Sequence, residues 1–89
     1  MISIRRVVGG SMRPTFMERQ LVVAIRWRPR LGSVVIARAD GREVIKRVVL
    51  VDNKKYHLVG DHPASSAYSV EPSDVLGVVV WPRRSGKSR

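Results

Sequence analysis

Residues 33–51 read SVVIARADGREVIKRVVLV, and this stretch decides the fold. Two runs rich in β-branched side chains, Ser33–Arg38 and Glu43–Val51, flank the dipeptide Asp40-Gly41. Valine and isoleucine are stiff at χ1 and fit a pleated, half-buried surface. Asp-Gly between two such runs signals a hairpin, because a tight turn between twisted strands needs residues that accept positive φ. Outward from the hairpin the pattern repeats, with valine-rich runs at Ile4–Val8 and Gln20–Trp27 before it and Lys55–Val59 and Leu76–Trp81 after it. Asp52-Asn53 reads as a further turn, and Gly60 to Pro72, rich in Ser, Pro and Ala, reads as a loop. No segment holds ten residues of helical periodicity, and Thr15–Gln20 has room for one helical turn. About six short strands at this spacing predict an all-β domain, a small folded-over sheet or barrel.

A chain of 89 residues has room for one domain, expected over residues 1–82, with a basic and disordered tail over 83–89. Cysteine is absent, which excludes disulfides, thiolate metal sites and a cysteine nucleophile. The two histidines, His57 and His62, are too few for a histidine-only metal site, and a mixed site with Asp61 has little support. No metal or cofactor is expected. The formal net charge of +10 suggests an anionic partner. The basic residues are nevertheless scattered, and only Trp27 lies among arginines, so the aromatic platforms of a nucleic-acid binder are missing. Arg5-Arg6 and Arg83-Arg84 could instead rest on an anionic membrane surface. No apolar run approaches the roughly 20 residues of a spanning helix. The expectation is a protein that is soluble or peripheral to a membrane.

Three segments carry polar residues where a purely structural strand or turn has no use for them. In Gly9-Gly10-Ser11-Met12-Arg13-Pro14-Thr15, two glycines precede a serine and a proline follows it. Such a loop can present the Ser11 hydroxyl to a substrate carbonyl, with nearby N–H groups as an oxyanion hole. The same letters also make an ordinary turn. In Val44-Ile45-Lys46-Arg47-Val48, the strand period of two puts Lys46 on one face with Val44 and Val48, and Arg47 on the other with Ile45. A lysine on an edge strand commonly faces water. A lysine among valines on an inward face loses charge stabilisation, and its amine becomes available as a general base. The third segment, Gly60-Asp61-His62-Pro63-Ala64-Ser65-Ser66-Ala67-Tyr68-Ser69, offers hydroxyls that could hold a neutral amine in line.

Together these segments resemble the boxes of bacterial signal peptidase I and its relatives. Ser11-Met12-Arg13-Pro14-Thr15-Phe16 is similar to the nucleophile box, Lys46-Arg47-Val48-Val49 to the lysine box, and Gly60-Asp61-His62-Pro63 through Ser69 to the last box. Arg28–Val35 and Val75–Pro82 resemble the intervening and closing stretches, in family order. The resemblance implies a serine endopeptidase with a Ser–Lys dyad, in which Ser11 is the nucleophile and Lys46 its base. It also implies that Ser66 orients the lysine, that the Ser11 backbone N–H serves the oxyanion hole, and that Met12 and Pro14 line the substrate cleft. The implied substrate is a signal or leader peptide bound as an added strand and cut after a small residue. Tyr68 and Val70 stand where the family has an aspartate and an arginine that pair and brace the site, which implies a less rigid apparatus.

Three other uses compete with this reading. A self-cleaving regulatory module, like the repressors activated by Ser–Lys autocleavage, shares the serine and lysine boxes. Pro14-Thr15 and Gly60-Asp61 fit the signal-peptidase pattern better, and no Ala-Gly site lies upstream of Ser11. A degenerate or non-catalytic basic β-domain binding lipid or nucleic acid would explain the charge alone. A Ser-His-Asp arrangement built from His57 or His62 with Asp61 is the least economical, since Lys46 already has a motif.

Overall fold

The structure is a computed structural model that describes residues 1–82. It is all-β. The strands are β1 (Ile2–Arg6), β2 (Leu21–Ile25), β3 (Val34–Ala39), β4 (Arg42–Asp52), β5 (Lys55–Val59), β6 (Ala67–Val70) and β7 (Val75–Trp81), with a single 3-10 turn at Pro72–Asp74. All seven join one antiparallel sheet in the order β1-β2-β7-β3-β4-β5-β6. The hairpin around Asp40-Gly41 forms with φ of 54° and 80° at its two central residues, the primed geometry that suits twisted strands. Two expectations need correction. Gly60 to Pro72 is not loop throughout, because Ala67–Val70 pairs with β5 and makes a seventh strand. Thr15–Gln20 holds no helix; it closes on a turn in which the Gln20 N–H donates to the Met17 carbonyl at 3.1 Å, after one in which the Phe16 N–H donates to the Met12 carbonyl at 2.9 Å. The expected tail over 83–89 lies outside the described residues.

The sheet is curled, and its irregularities explain the curl. Val80 and Leu76 are extra residues on β7, between the pairs Val23↔Trp81 and Ala24↔Val79 and between Ile36↔Gly77 and Ala37↔Val75. Val49 is extra on β4. Such bulges bend a strand and increase local twist. β3 sits in the middle, buried on both faces except at Arg38. One core cluster gathers Val35, Ala37, Val48, Leu58, Val70 and Val78 on the face of β4 that bears Lys46. The other gathers Val7, Met12, Phe16, Val22 and Val34 on the opposite face, with Ile45 packed against it. Val35, Ile36 and Leu58 are wholly buried, each contributing roughly 1.5–3 kcal/mol from apolar burial.

Curling brings β1, at one sheet edge, back towards β4. The Arg5 guanidinium donates to both carboxylate oxygens of Glu43 at 2.7 and 3.1 Å, bridging the two strands. β4 pairs with β3 over Arg42–Arg47 and with β5 only from Arg47 onward. Its N-terminal half therefore presents an unpaired edge facing the returning β1. Among the described residues, no helix is long and apolar enough to cross a membrane.

Candidate active site

The loop between β1 and β2 carries Ser11 and is tied at its base. The Val7 N–H donates to the Gln20 carbonyl at 2.8 Å, and the Arg19 N–H to the Val7 carbonyl at 2.7 Å. Met12, 1% exposed, and Phe16 anchor the loop in the core behind β4. Ser11 lies between these anchors, half-buried, and the backbone turns just before it at Gly9, with φ of 82°. Among the described residues, the Ser11 N–H makes no backbone hydrogen bond.

Lys46 arrives from the other face of the same strand. It is 6% exposed and is the one buried charged residue among those described. Burial pushes its amine below the ordinary lysine pKa, the nearby Tyr68 phenol opposes that shift, and the positive charge of Arg42 adds to it. The Nζ atom lies 5.6 Å from the centre of the Tyr68 ring, within cation–π range. Tyr68 thus occupies the position where the resemblance has a carboxylate, and it covers the amine with an aromatic face instead.

Ser11, Lys46, Ser66 and Tyr68 line one cavity of about 620 Å³ at the unpaired edge of β4. No side-chain hydrogen bond links Lys46 to Ser11 or Ser66 among the described residues; they meet across this cavity. Met12 reaches its wall from the core, whereas Pro14 is exposed and stands outside the lining. Pro14 as a wall of the cleft therefore gains no support from its position. His57 lies elsewhere: its Nδ1 is 2.8 Å from the Ser69 hydroxyl and its Nε2 is 3.6 Å from Asp52. His62 contributes its backbone rather than its ring to the serine loop, donating its N–H to the Ser11 carbonyl at 2.8 Å. No group of three or more metal-ligating side chains occurs among the described residues.

The brace of the site is a set of residues whose role the sequence alone did not reveal. Arg47, facing away from Lys46, donates from Nε to Asp61 Oδ1 and from Nη2 to Oδ2, both at 2.8 Å, and from Nη1 to the Gly32 carbonyl at 2.8 Å. The Thr15 hydroxyl donates to the same carboxylate at 2.5 Å. The strand that carries the candidate base is thereby bolted to the loop that carries the candidate nucleophile. The signal was there in principle: Arg47 alternates with Lys46 beside apolar neighbours, so its charge needed a partner. Gly60 completes the contact. A Cβ at that position would collide with the Ser11 carbonyl oxygen and lie 2.7 Å from the Ser65 side chain. The Gly60 N–H donates to the Ser65 hydroxyl at 2.8 Å.

The Arg47 guanidinium, chiefly by hydrogen bonding, holds the Asp61 carboxyl below its usual pKa, against an opposing effect of burial; the Thr15 hydroxyl also lowers it. A carboxylate whose folded-state pKa is depressed stabilises the fold above its unfolded pKa of about 4, and that contribution is lost as pH falls through the folded value. Asp61→Asn is expected to cost roughly 1–3 kcal/mol at neutral pH, since the pair is partly buried and shared with Thr15. The deficit should shrink steadily below about pH 4. Urea denaturation of both proteins across that range checks it, and a deficit independent of pH would deny Asp61 its charged role.

A concave site with a half-buried serine, a buried lysine and an unpaired strand edge can support acyl transfer to a serine hydroxyl. Comparison with known proteins agrees with this chemistry at the level of the family. No curated protein matches the chain. The family model described as Peptidase S24-like matches residues 3–80, from within the first strand into the last, and takes in both Ser11 and Lys46. The chain belongs to the Peptidase S24-like family.

Proposed function

We propose that the chain is a serine endopeptidase of the signal-peptidase type that uses a Ser11–Lys46 dyad to cut a signal or leader peptide after a small residue. The observation that carries this reading is the shared cavity, in which the one buried charged side chain among the described residues faces the serine loop. A neutral Lys46 amine takes the proton from Ser11 Oγ as the oxygen attacks the scissile carbonyl. The Ser11 N–H then stabilises the oxyanion, where a well-aimed donor contributes most. The lysine ammonium gives its proton to the departing amine. Water, deprotonated by the same amine, attacks the acyl carbonyl; the ester bond to Ser11 Oγ breaks and the ammonium returns its proton to that oxygen, restoring the hydroxyl and the neutral amine. Ser66, on the same cavity wall, is the group proposed to steady the amine.

The unpaired half of β4 and the outer edge of β1 both line this cavity, and strand addition is a natural way to seat an extended peptide there. The preference for a small residue rests on the resemblance of the three boxes. An anionic membrane surface is a proposed partner; Arg5 already pairs with Glu43, which leaves Arg6 as the freer of the two N-terminal charges.

The test is incubation with extended peptides that carry alanine at a defined position, with products identified by mass spectrometry. Cleavage after the alanine, absent when it is replaced by a bulky residue, is the expected outcome. Intact peptides throughout would leave the proposal without an activity.

Housing a base in the core has a cost that stability measurements can read. Lys46 has a folded-state pKa below its unfolded one, so the unfolded chain holds the proton to higher pH. Wild type should therefore gain stability as pH rises from the lowered folded value to the ordinary lysine range. Lys46→Met lacks that gain and is expected to be about 1 kcal/mol more stable near neutral pH, with the gap closing in alkali. Thermal unfolding across pH checks this. A variant less stable than wild type at neutral pH would show that the amine is well satisfied where it lies.

A further inference from the structure

The charge around the mouth of the Ser11–Lys46 cavity is unbalanced. Arg5, Arg6 and Arg42 all contribute to its lining, and the one carboxylate there is Glu43. Both oxygens of Glu43 are taken by Arg5, so this pair is neutral towards a ligand. Arg6 donates one N–H to the Arg19 carbonyl, a neutral acceptor that leaves its charge uncancelled. Arg42 is exposed, makes no ion pair among the described residues, and stands near enough to Lys46 for its charge to act on the amine. Two uncompensated guanidiniums thus flank the slot between β1 and the unpaired half of β4. They lie on the two strand edges that an extended peptide would touch.

We infer that Arg6 and Arg42 make this slot selective for peptides with an acidic side chain close to the scissile bond, an inference that rests on the endopeptidase reading above. Guanidinium donors form charge-assisted hydrogen bonds with carboxylates, often through two N–H groups. Like charges at the same place repel, and a cleft focuses the field. The rest of the chain is also basic and attracts any anion, so the local claim needs a control with the same loss of charge elsewhere. Arg28 and Arg30 supply it, since they line a separate groove beside Trp27 and Phe16 that shares no residue with the Ser11 cavity.

The experiment uses a panel of peptides, each with one alanine cleavage position and with aspartate, asparagine or lysine at each of the three flanking positions on either side. At low salt, aspartate at one or more positions is expected to raise kcat/KM about tenfold over lysine, and the ratio should fall to about twofold in half-molar salt. The double variant Arg6→Gln, Arg42→Gln should reduce the low-salt ratio to about twofold or less. Arg28→Gln, Arg30→Gln, with the same net charge, should leave it near tenfold. Equal cleavage of aspartate and lysine peptides overturns the selectivity while leaving the endopeptidase intact. So does an equal loss of discrimination in both double variants. Failure to cleave any peptide, asparagine versions included, falls on the endopeptidase reading itself.

Discussion

Ser11→Ala is expected to lower kcat/KM for a cleavable peptide by at least about a thousandfold, with thermal unfolding unchanged within roughly 0.5 kcal/mol. The two halves follow from different properties of one residue. Ser11 is half-buried in a turn whose packing is carried by Met12 and Phe16, so removing a hydroxyl costs the fold little. The same hydroxyl is the proposed nucleophile, and nothing else on the cavity wall combines a serine with the loop geometry around Gly9-Gly10. Lys46→Met should lose activity to a similar degree. Because the two residues act as one unit, the double variant should be no worse than either single one. Peptide hydrolysis followed by mass spectrometry decides it. Activity retained in Ser11→Ala would move the chemistry elsewhere, Ser65 and Ser66 being the other serines on the cavity wall.

Gly60→Ala carries the second large effect, and it reaches the serine through the Ser11 backbone carbonyl. The added methyl group would be driven into the Ser11 carbonyl oxygen, which belongs to the backbone and cannot rotate away. The Ser65 side chain is fixed by the Gly60 N–H itself. Overpacking at so constrained a point is expected to destabilise the protein by about 1–3 kcal/mol. Displacing the serine loop by even an ångström should cost roughly a hundredfold in kcat/KM, because a nucleophile must hold its near-attack geometry. Adding Ser65→Ala removes the hydroxyl but leaves the Ser65 Cβ, 2.7 Å from the new methyl group, and the Ser11 carbonyl oxygen in place, so the double variant should stay impaired. Wild-type stability and turnover in Gly60→Ala would mean that the two loops are not packed as described.

The architecture was largely legible in the sequence because it rests on local signals. The Asp40-Gly41 turn and the β-branched runs of β3 and β4 need no knowledge of distant residues, and they form the hairpin. β6 escaped because Ala67-Tyr68-Ser69-Val70 looks like the rest of a hydroxyl-rich loop. Only Tyr68 and Val70 alternate inward, and the pairing comes from β5 rather than from local preference. The curl was also invisible, since bulges at Val49, Leu76 and Val80 depend on register between strands far apart in sequence.

The candidate site divides in the same way. The period of two could place Lys46 on one face with Val44 and Val48, but an edge lysine facing water fitted the same letters, and its burial is seen only in the folded sheet. The Arg47–Asp61–Thr15 brace could not be read at all, because three residues from three segments meet only after the sheet has curled. The resemblance pointed to positions 68 and 70 for the brace and implied a looser site without it. The structure instead joins the nucleophile loop to the lysine strand through Asp61 and leaves Tyr68 to face the amine. Rigidity is therefore supplied from behind the strand rather than from beside the lysine.

The most direct test of the dyad is the pH dependence of Ser11 acylation by an activated ester, followed by intact mass and peptide mapping. A Ser11–Lys46 dyad predicts a single acyl group on Ser11, formed at a rate that rises with one deprotonation whose midpoint lies below the ordinary lysine value of about 10.4, and lost in Lys46→Met. An acyl group on another residue, or labelling of Ser11 at the same rate with and without Lys46, would contradict it.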